Sequence, residues 1–111
     1  MKITALAALT AVVALALALP ALAATPVYTG VVGPGFTITL AKKPTKAGKI
    51  KLVIRDKSNV HNFHLTGDGV DISTDVSGTG EETFTVTLKP GTYTYVCDPH
   101  SSQMHGTLTV T

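Results

Sequence analysis

Apolar and polar residues alternate with a period of two along much of the chain after residue 26. Apolar side chains alternate with threonine in residues 36–40, 83–88 and 107–111, and in residues 50–55 Ile50, Leu52 and Ile54 alternate with Lys51, Val53 and Arg55. Such alternation gives one apolar and one polar face, and it is typical of a strand whose sheet packs on one side only. In the first of these segments, the pattern predicts that Phe36, Ile38 and Leu40 face the core.

Further strands are predicted at residues 27–32, 61–66, 70–76 and 92–97. Glycine and proline recur between the segments, and Lys89-Pro90-Gly91 is typical of a tight turn between strands 82–88 and 92–97. No stretch of ten residues after residue 24 has a helical period. About eight short strands separated by turns predict an all-β fold built from two packed sheets.

The N-terminal segment has a different composition. Residues 1–24 contain 20 apolar residues and one charge, Lys2. Pro20 interrupts the apolar run, and Ala21-Leu22-Ala23 matches the small-residue pattern that precedes cleavage, here before Ala24. We therefore expect a secretory signal peptide at 1–23 and export of 24–111 to the periplasm or the extracellular space. A retained anchor is the alternative, but the apolar run is near the lower limit for a membrane span.

The remaining composition limits the class of protein. Residues 25–111 contain 29 apolar residues in 87, which suits one small domain with a modest core. The same segment has 8 lysines and arginines against 7 acidic residues, so no basic surface for nucleic acid is expected. A Ser/His/Asp set, a carboxylate pair and a glycine-rich phosphate loop are not apparent, and we expect no enzymatic activity.

The candidate chemistry lies between the last two predicted strands. Cys97 is the only cysteine, so in an exported protein its thiol is buried, paired between chains or bound to something. His100 follows three residues later, and Pro99 stiffens the turn so that both side chains can converge. Met104 adds a thioether. A thiolate, imidazoles and a weak thioether are the ligands that suit copper.

The second imidazole must come from another segment. If residues 61–66 form a strand, His61, Phe63 and Leu65 share one face, and Asn62 and His64 share the other. The apolar residues mark the core face. The alternation therefore predicts His61 as the inward ligand and directs His64 to solvent.

Two motifs resemble the ligand loops of the cupredoxins, the small blue copper proteins that include plastocyanin, azurin, amicyanin and pseudoazurin. They are the His61-Asn62 pair and the Tyr-x-Cys-x-Pro-His loop that ends in Met-x-Gly, and the resemblance covers residues 26–111. It implies a Greek-key β-sandwich with one copper ion, cycling between Cu(II) and Cu(I). The implied ligands are His61, Cys97, His100 and Met104, with Asn62 joining the two ligand loops by hydrogen bonds.

The spacing to the axial ligand departs from plastocyanin. In plastocyanin-type loops the axial methionine lies five residues after the histidine, and this chain has His105 there. Met104 lies four residues after His100, as in the azurin loop. We therefore expect Met104 to be the axial ligand and His105 to face solvent, with His105 as the alternative axial ligand.

The resemblance also implies a function. It predicts a monomer that shuttles single electrons in the cell envelope, with redox proteins docking transiently around His100 as the electron port. Two other functions remain open at this point: a periplasmic copper carrier or buffer that uses the same ligands, and a metal-free β-sandwich that acts as a binding module. The histidine and cysteine groups would also suit zinc.

Overall fold

Two four-stranded sheets pack face to face in the computed structural model, which describes residues 1–5, 7–19 and 22–111. The first sheet has the order β2-β1-β3-β6 and the second β5-β4-β7-β8. The predicted all-β sandwich is therefore confirmed. The elements of the described part are β1 (Val27–Val32), β2 (Ile38–Leu40), β3 (Gly48–Asp56), β4 (His64–Gly67), β5 (Val70–Ser73), β6 (Gly80–Leu88), β7 (Gly91–Val96), a single 3-10 turn (Asp98–His100) and β8 (His105–Val110).

The alternation correctly predicts the core in the long strands. Ile50, Leu52 and Ile54 of β3 are buried, and so are Val86 and Leu88 of the neighbouring β6. Complete burial of one such side chain contributes about 1.5–3 kcal/mol to folding. The two inner faces thus hold the sheets together and provide a rigid support for the loops at their ends.

The turn Lys89-Pro90-Gly91 joins the two sheets. β6 belongs to the first sheet and β7 to the second, so the strands on either side of the turn do not pair with each other. Gly91 has a φ of 148°, a conformation that side-chain-bearing residues rarely adopt. β7 then runs antiparallel between β4 and β8 and ends next to Cys97.

The prediction that Phe36 faces the core is wrong. β2 begins only at Ile38, and Phe36 lies in the preceding turn with 58% of its surface exposed. The turn is closed by a hydrogen bond of 2.8 Å from the Gly33 N–H to the Thr37 carbonyl. Because this closure curves the chain, the alternation does not extend back to residue 36.

The predicted strand 61–66 is also too long at its N-terminal end, since β4 begins at His64. Asn62, which the alternation directed outwards, is only 2% exposed. The segment before β4 is held by hydrogen bonds with Thr74 rather than by strand pairing. The Phe63 N–H donates to Thr74 Oγ1, and the Thr74 N–H donates to the Phe63 carbonyl, both over 2.9 Å. Irregular backbone of this kind lets consecutive residues both face inwards.

The predicted strand 70–76 ends early, at Ser73. Asp75 turns the chain there, because its carboxylate accepts the Ser77 N–H and its carbonyl accepts the Gly78 N–H. Aspartate commonly initiates turns in this way.

The N-terminal segment has no regular secondary structure where it is described, up to Pro26. In the described part of the chain, no helix is long and apolar enough to cross a membrane. Pro20 and Ala21, on which the predicted cleavage motif depends, lie outside the described residues. The signal peptide at 1–23 stays a prediction.

Candidate metal centre

Three side chains from two distant segments meet at one end of the sandwich. His61 precedes β4, Cys97 follows β7, and His100 ends the 3-10 turn. The two Nδ1 atoms lie 3.0 Å apart, and Cys97 Sγ lies 3.7 Å from His61 Nδ1 and 3.6 Å from His100 Nδ1. One sulfur and two nitrogens thus face one another in a small triangle.

The loop from Cys97 to Met104 is closed by its own backbone. The Cys97 N–H donates to the Met104 carbonyl over 2.9 Å, and the Met104 N–H donates to the His100 carbonyl over 2.8 Å. Pro99 lies in the first turn of the 3-10 segment, where its fixed φ suits the helical backbone. Cys97 and Met104 are both fully buried, whereas His100 is partly exposed. The Cys97 thiol and the Met104 thioether are thereby held in the interior of the protein.

Asn62 connects the segment of His61 to the segment of Cys97. Its backbone N–H is directed at Cys97 Sγ over 3.4 Å. Its Nδ2 donates to Asp98 Oδ2 over 2.8 Å, and its Oδ1 accepts the Asp98 N–H over 2.8 Å. Nδ2 also lies 3.4 Å from the Thr74 carbonyl. The hydrogen bonds place the segment of His61 and the segment of Cys97 in a defined relative position.

His64, three residues after His61, lies outside this cluster. Its Nδ1 is 2.9 Å from Asp98 Oδ1, and its Nε2 is 2.7 Å from Asp71 Oδ1. The hydrogen bond with Asp98, followed by that with Asp71, raises the pKa of His64. Burial alone would raise the pKa of Asp98, but its hydrogen bonds with Asn62 and His64 outweigh burial and lower it.

Sequence reasoning did not single out Asp98 or Asp71. Asp98 directly follows the cysteine, so its proximity to the site could have been noticed. Asp71 could be found only once the strand register was known. It lies in β5, two residues before Ser73, and Ser73 is the residue that pairs with His64.

Comparison with known proteins identifies the family. The model of the cupredoxin-like domain family matches residues 5–110. The chain belongs to the cupredoxin-like domain family. The resemblance seen in the sequence is therefore confirmed.

Solved structures agree with this cupredoxin in fold. Reduced rusticyanin superimposes with a TM-score of 0.62 at 24% identity, covering 78% of this chain and 79% of rusticyanin. A second structure, of the copper protein rusticyanin, gives 0.63 at 22% identity and covers 78% of each chain. Auracyanin A, described as a "blue" copper protein from the green thermophilic photosynthetic bacterium Chloroflexus aurantiacus, gives 0.55 at 20% identity, covering 79% of this chain and all of auracyanin. At these identities the likeness concerns the fold.

The donor atoms of this cupredoxin fit a copper ion. A thiolate and two imidazoles are the trigonal ligands of blue copper sites, and a methionine commonly lies on the axis. The triangle also has a surplus of lone pairs: the two Nδ1 atoms can share only one proton, and outside the triangle the buried Sγ has a weak contact with the Asn62 N–H. A metal cation would satisfy all three atoms at once.

An exposed aromatic side chain, Phe36, lies beside the cluster. The Phe36 ring meets the rings of His100 and His61 edge-on, with centroid distances of 4.9 and 5.4 Å. Val60, which directly precedes His61 in the sequence, is 52% exposed. His105 is exposed and begins β8. Phe36 was assigned to the core on sequence grounds, and the structure places it over the two histidines.

Proposed function

We propose that this cupredoxin is a blue copper protein that carries single electrons in the cell envelope. One copper ion would be held by His61, Cys97 and His100, with Met104 as the weak axial ligand. When bound, copper supplies a one-electron couple between Cu(II) and Cu(I). The observation that carries the proposal is the triangle of Cys97 Sγ and the two histidine Nδ1 atoms, with sides of 3.0, 3.6 and 3.7 Å.

The surrounding residues would keep the ligands in place during electron transfer. Cys97, Met104 and His61 are at most 2% exposed, so water is excluded from them. Asn62 directs its N–H at the sulfur and binds Asp98 across the two segments. Hydrogen bonds to a ligating sulfur and the dielectric of its surroundings tune the reduction potential. A rigid site of this kind changes little between two oxidation states.

His100 is the best candidate for the electron port. It is the only histidine of the triangle with a partly exposed ring, and Phe36 covers one side of it. A small apolar surface favours brief encounters of the kind that redox partners make. We therefore propose that redox proteins dock transiently here, and that the protein acts as a monomer without catalysing a reaction of its own.

Export belongs to the same proposal. Residues 1–23 would act as a secretory signal peptide, so that the mature protein begins at Ala24. The intact mass of the protein recovered from the periplasm or culture medium tests this. A mass matching residues 24–111 is expected, and a protein that keeps its first 23 residues would contradict export by cleavage.

The deciding experiment is to load the protein with Cu(II) and record visible absorption and electron paramagnetic resonance. We expect an intense thiolate-to-copper band with narrow hyperfine splitting. The matched control is Cys97→Ser, which replaces the sulfur with an oxygen of similar size and should abolish the band. A weak Cu(II) spectrum that is the same in the control would overturn the proposal in favour of a zinc protein or a metal-free module.

A copper carrier would use the same ligands, and release of metal distinguishes the two functions. Burial of Cys97, His61 and Met104 favours retention. Mixing the loaded protein with a copper chelator should therefore give slow loss of the thiolate-to-copper band, whereas rapid loss would favour the carrier.

A further inference from the structure

His64 occupies the point where the second sheet meets the ligand loop. It is the first residue of β4, and it lies opposite Ser73 of β5 on one side and Val96 of β7 on the other. Val96 immediately precedes Cys97. The histidine is therefore next to the loop in space, although its own side chain does not belong to the ligand triangle.

Both ring nitrogens of His64 contact carboxylates. Nδ1 lies 2.9 and 3.1 Å from the two oxygens of Asp98, and Nε2 lies 2.7 Å from Asp71 Oδ1. An ionised carboxylate only accepts hydrogen bonds, so both nitrogens must carry hydrogen and the ring is an imidazolium. Such charge-assisted hydrogen bonds are stronger than neutral ones.

Asp98 is the link between this imidazolium and the cysteine. Its carboxylate binds both His64 and the Asn62 side chain, and its N–H donates to Asn62 Oδ1. Asn62 in turn directs its backbone N–H at Cys97 Sγ. The contacts form one chain from Asp71 through His64, Asp98 and Asn62 to the sulfur.

Asp98 needs this support because its side chain is 49% exposed. Water competes for an exposed carboxylate, and a single bond to Asn62 would not fix its rotamer. Asn62, by contrast, is almost fully buried, and apart from Asp98 its Nδ2 has only the weak contact of 3.4 Å with the Thr74 carbonyl. If Asp98 moved away, the Asn62 side chain would lose its main hydrogen-bond partner and could change its conformation beside the site.

We propose that His64 is a positioning residue of the metal centre: it holds Asp98 against Asn62 and thereby fixes the N–H that Asn62 directs at Cys97 Sγ. The sequence alternation assigned His64 to solvent, and the cupredoxin ligand set does not include it. The inference rests on the proposed function for its redox consequence, whereas its structural part concerns the protein alone.

The first test uses the metal-free protein and amide hydrogen exchange by NMR. In His64→Gln, exchange of the Asp98 and Asn62 N–H groups should become about tenfold faster, equivalent to ~1.4 kcal/mol. Exchange in the core of β3, for example at Leu52, should stay unchanged, which separates a local effect from general destabilisation. Unchanged exchange at residues 62 and 98 would overturn the proposal.

Two further variants show whether His64 acts through Asp98. In an Asp98→Asn background, adding His64→Gln should change Asn62 exchange by less than about twofold, since the link is already broken. His105→Gln is the matched control, because the exposed His105 lies opposite the same Val96 on the other neighbouring strand. An additive effect in the double variant, or an equal effect of the control, would contradict the inference.

The second test uses the copper-loaded protein. His64→Gln should keep the thiolate-to-copper band but shift its position and lower the reduction potential, because a weaker N–H contact stabilises the electron-rich sulfur less. If the unmodified protein lacks the band, the proposed function fails while the exchange result still decides on His64. If the band is present and neither its position, the potential nor the exchange changes, only the inference about His64 fails.

Discussion

Asn62 and Asp98 bind each other through two hydrogen bonds of opposite direction. Asn62 Nδ2 donates to Asp98 Oδ2, and the Asp98 N–H donates to Asn62 Oδ1, each over 2.8 Å. The pair joins segments 36 residues apart in the chain, one that carries His61 and one that carries Cys97 and His100. The geometry of the triangle formed by His61, Cys97 and His100 therefore depends on polar contacts as well as on the packing of the sheets.

Replacing Asn62 with alanine should destabilise the protein. The substitution removes both hydrogen bonds with Asp98; a neutral hydrogen bond contributes about 0.5–1.5 kcal/mol and one to a charged group about 1.5–3 kcal/mol. Urea unfolding should therefore show a loss of about 2–3 kcal/mol. Asn59→Ala, at an exposed neighbouring position, is the control and should change stability little. A loss of the same size in both variants would argue against the role of the pair.

The contribution of His64 to stability should depend on pH. Hydrogen bonds with Asp98 and then Asp71 raise its pKa above the ordinary 6.5, so the protonated ring favours the folded state. The other groups opposite it, Ser73 and Val96, do not titrate. The contribution is therefore full below pH 6.5, while both carboxylates stay ionised, and is lost as the pH rises through the raised pKa.

The measurement is the difference in Tm between the parent protein and His64→Gln from pH 5.5 to pH 9. The difference should be largest at the acidic end and shrink towards the alkaline end. A difference that does not vary with pH would mean that His64 stabilises the fold by packing alone.

Asp56→Asn should stabilise the protein at neutral pH. Asp56 is only 6% exposed; Oδ1 accepts the Ser58 N–H, but Oδ2 has no hydrogen-bond partner among the described residues. Burial raises its pKa, against the opposing effects of Ser58 and His61. An ionised Asp56 therefore destabilises the folded state. The uncharged amide of Asp56→Asn should increase the free energy of unfolding by about 1 kcal/mol.

The direction of the Asp56 pKa shift can be checked by lowering the pH. As the pH falls through the raised pKa, the parent carboxyl becomes neutral and the advantage of Asp56→Asn should disappear. The difference in Tm between Asp56→Asn and the parent protein, at pH 7 and at pH 4, measures this advantage. An advantage that grows on acidification would contradict a raised pKa.

Gly106→Ala should disturb the ligand loop from its C-terminal side. A Cβ at Gly106 would lie 2.3 Å from the Tyr95 ring, which stacks on Phe63 with a centroid distance of 5.6 Å. Overpacking of this kind typically lowers the free energy of unfolding by about 1–3 kcal/mol. Gly35→Ala is the matched control, because a Cβ there meets nothing within 4 Å. Equal stability of the two variants in urea would show that Tyr95 can move freely.

Met104→Leu should raise the reduction potential of the copper-loaded protein and preserve the fold. Leucine has nearly the same volume as methionine but no sulfur donor, and loss of an axial donor destabilises the oxidised form more than the reduced form. Cyclic voltammetry measures the shift. His105→Gln should leave the potential unchanged, and the opposite pattern would assign the axial position to His105.

The sequence by itself predicted the strands and the ligand loop that depend on local order. The alternation in residues 50–55 and 83–88 marks real strands because each side chain there is directed by a regular backbone. The close spacing of Cys97, His100 and Met104 places them on one short loop under any folding of the rest. Together with the His61-Asn62 pair, this loop carried the resemblance to the cupredoxins, and the resemblance implied the fold and the metal ligands.

Tertiary structure alone decided the positions that lie outside regular strands. Asn62 is buried and Phe36 is exposed, against the alternation, because hydrogen bonds of Phe63 with Thr74 and of Gly33 with Thr37 set the backbone path there. The tether from His64 to Asp98 depends on the pairing of β4 with β7, which joins segments more than thirty residues apart. Side-chain direction in such segments follows long-range contacts, which no local period of the sequence records.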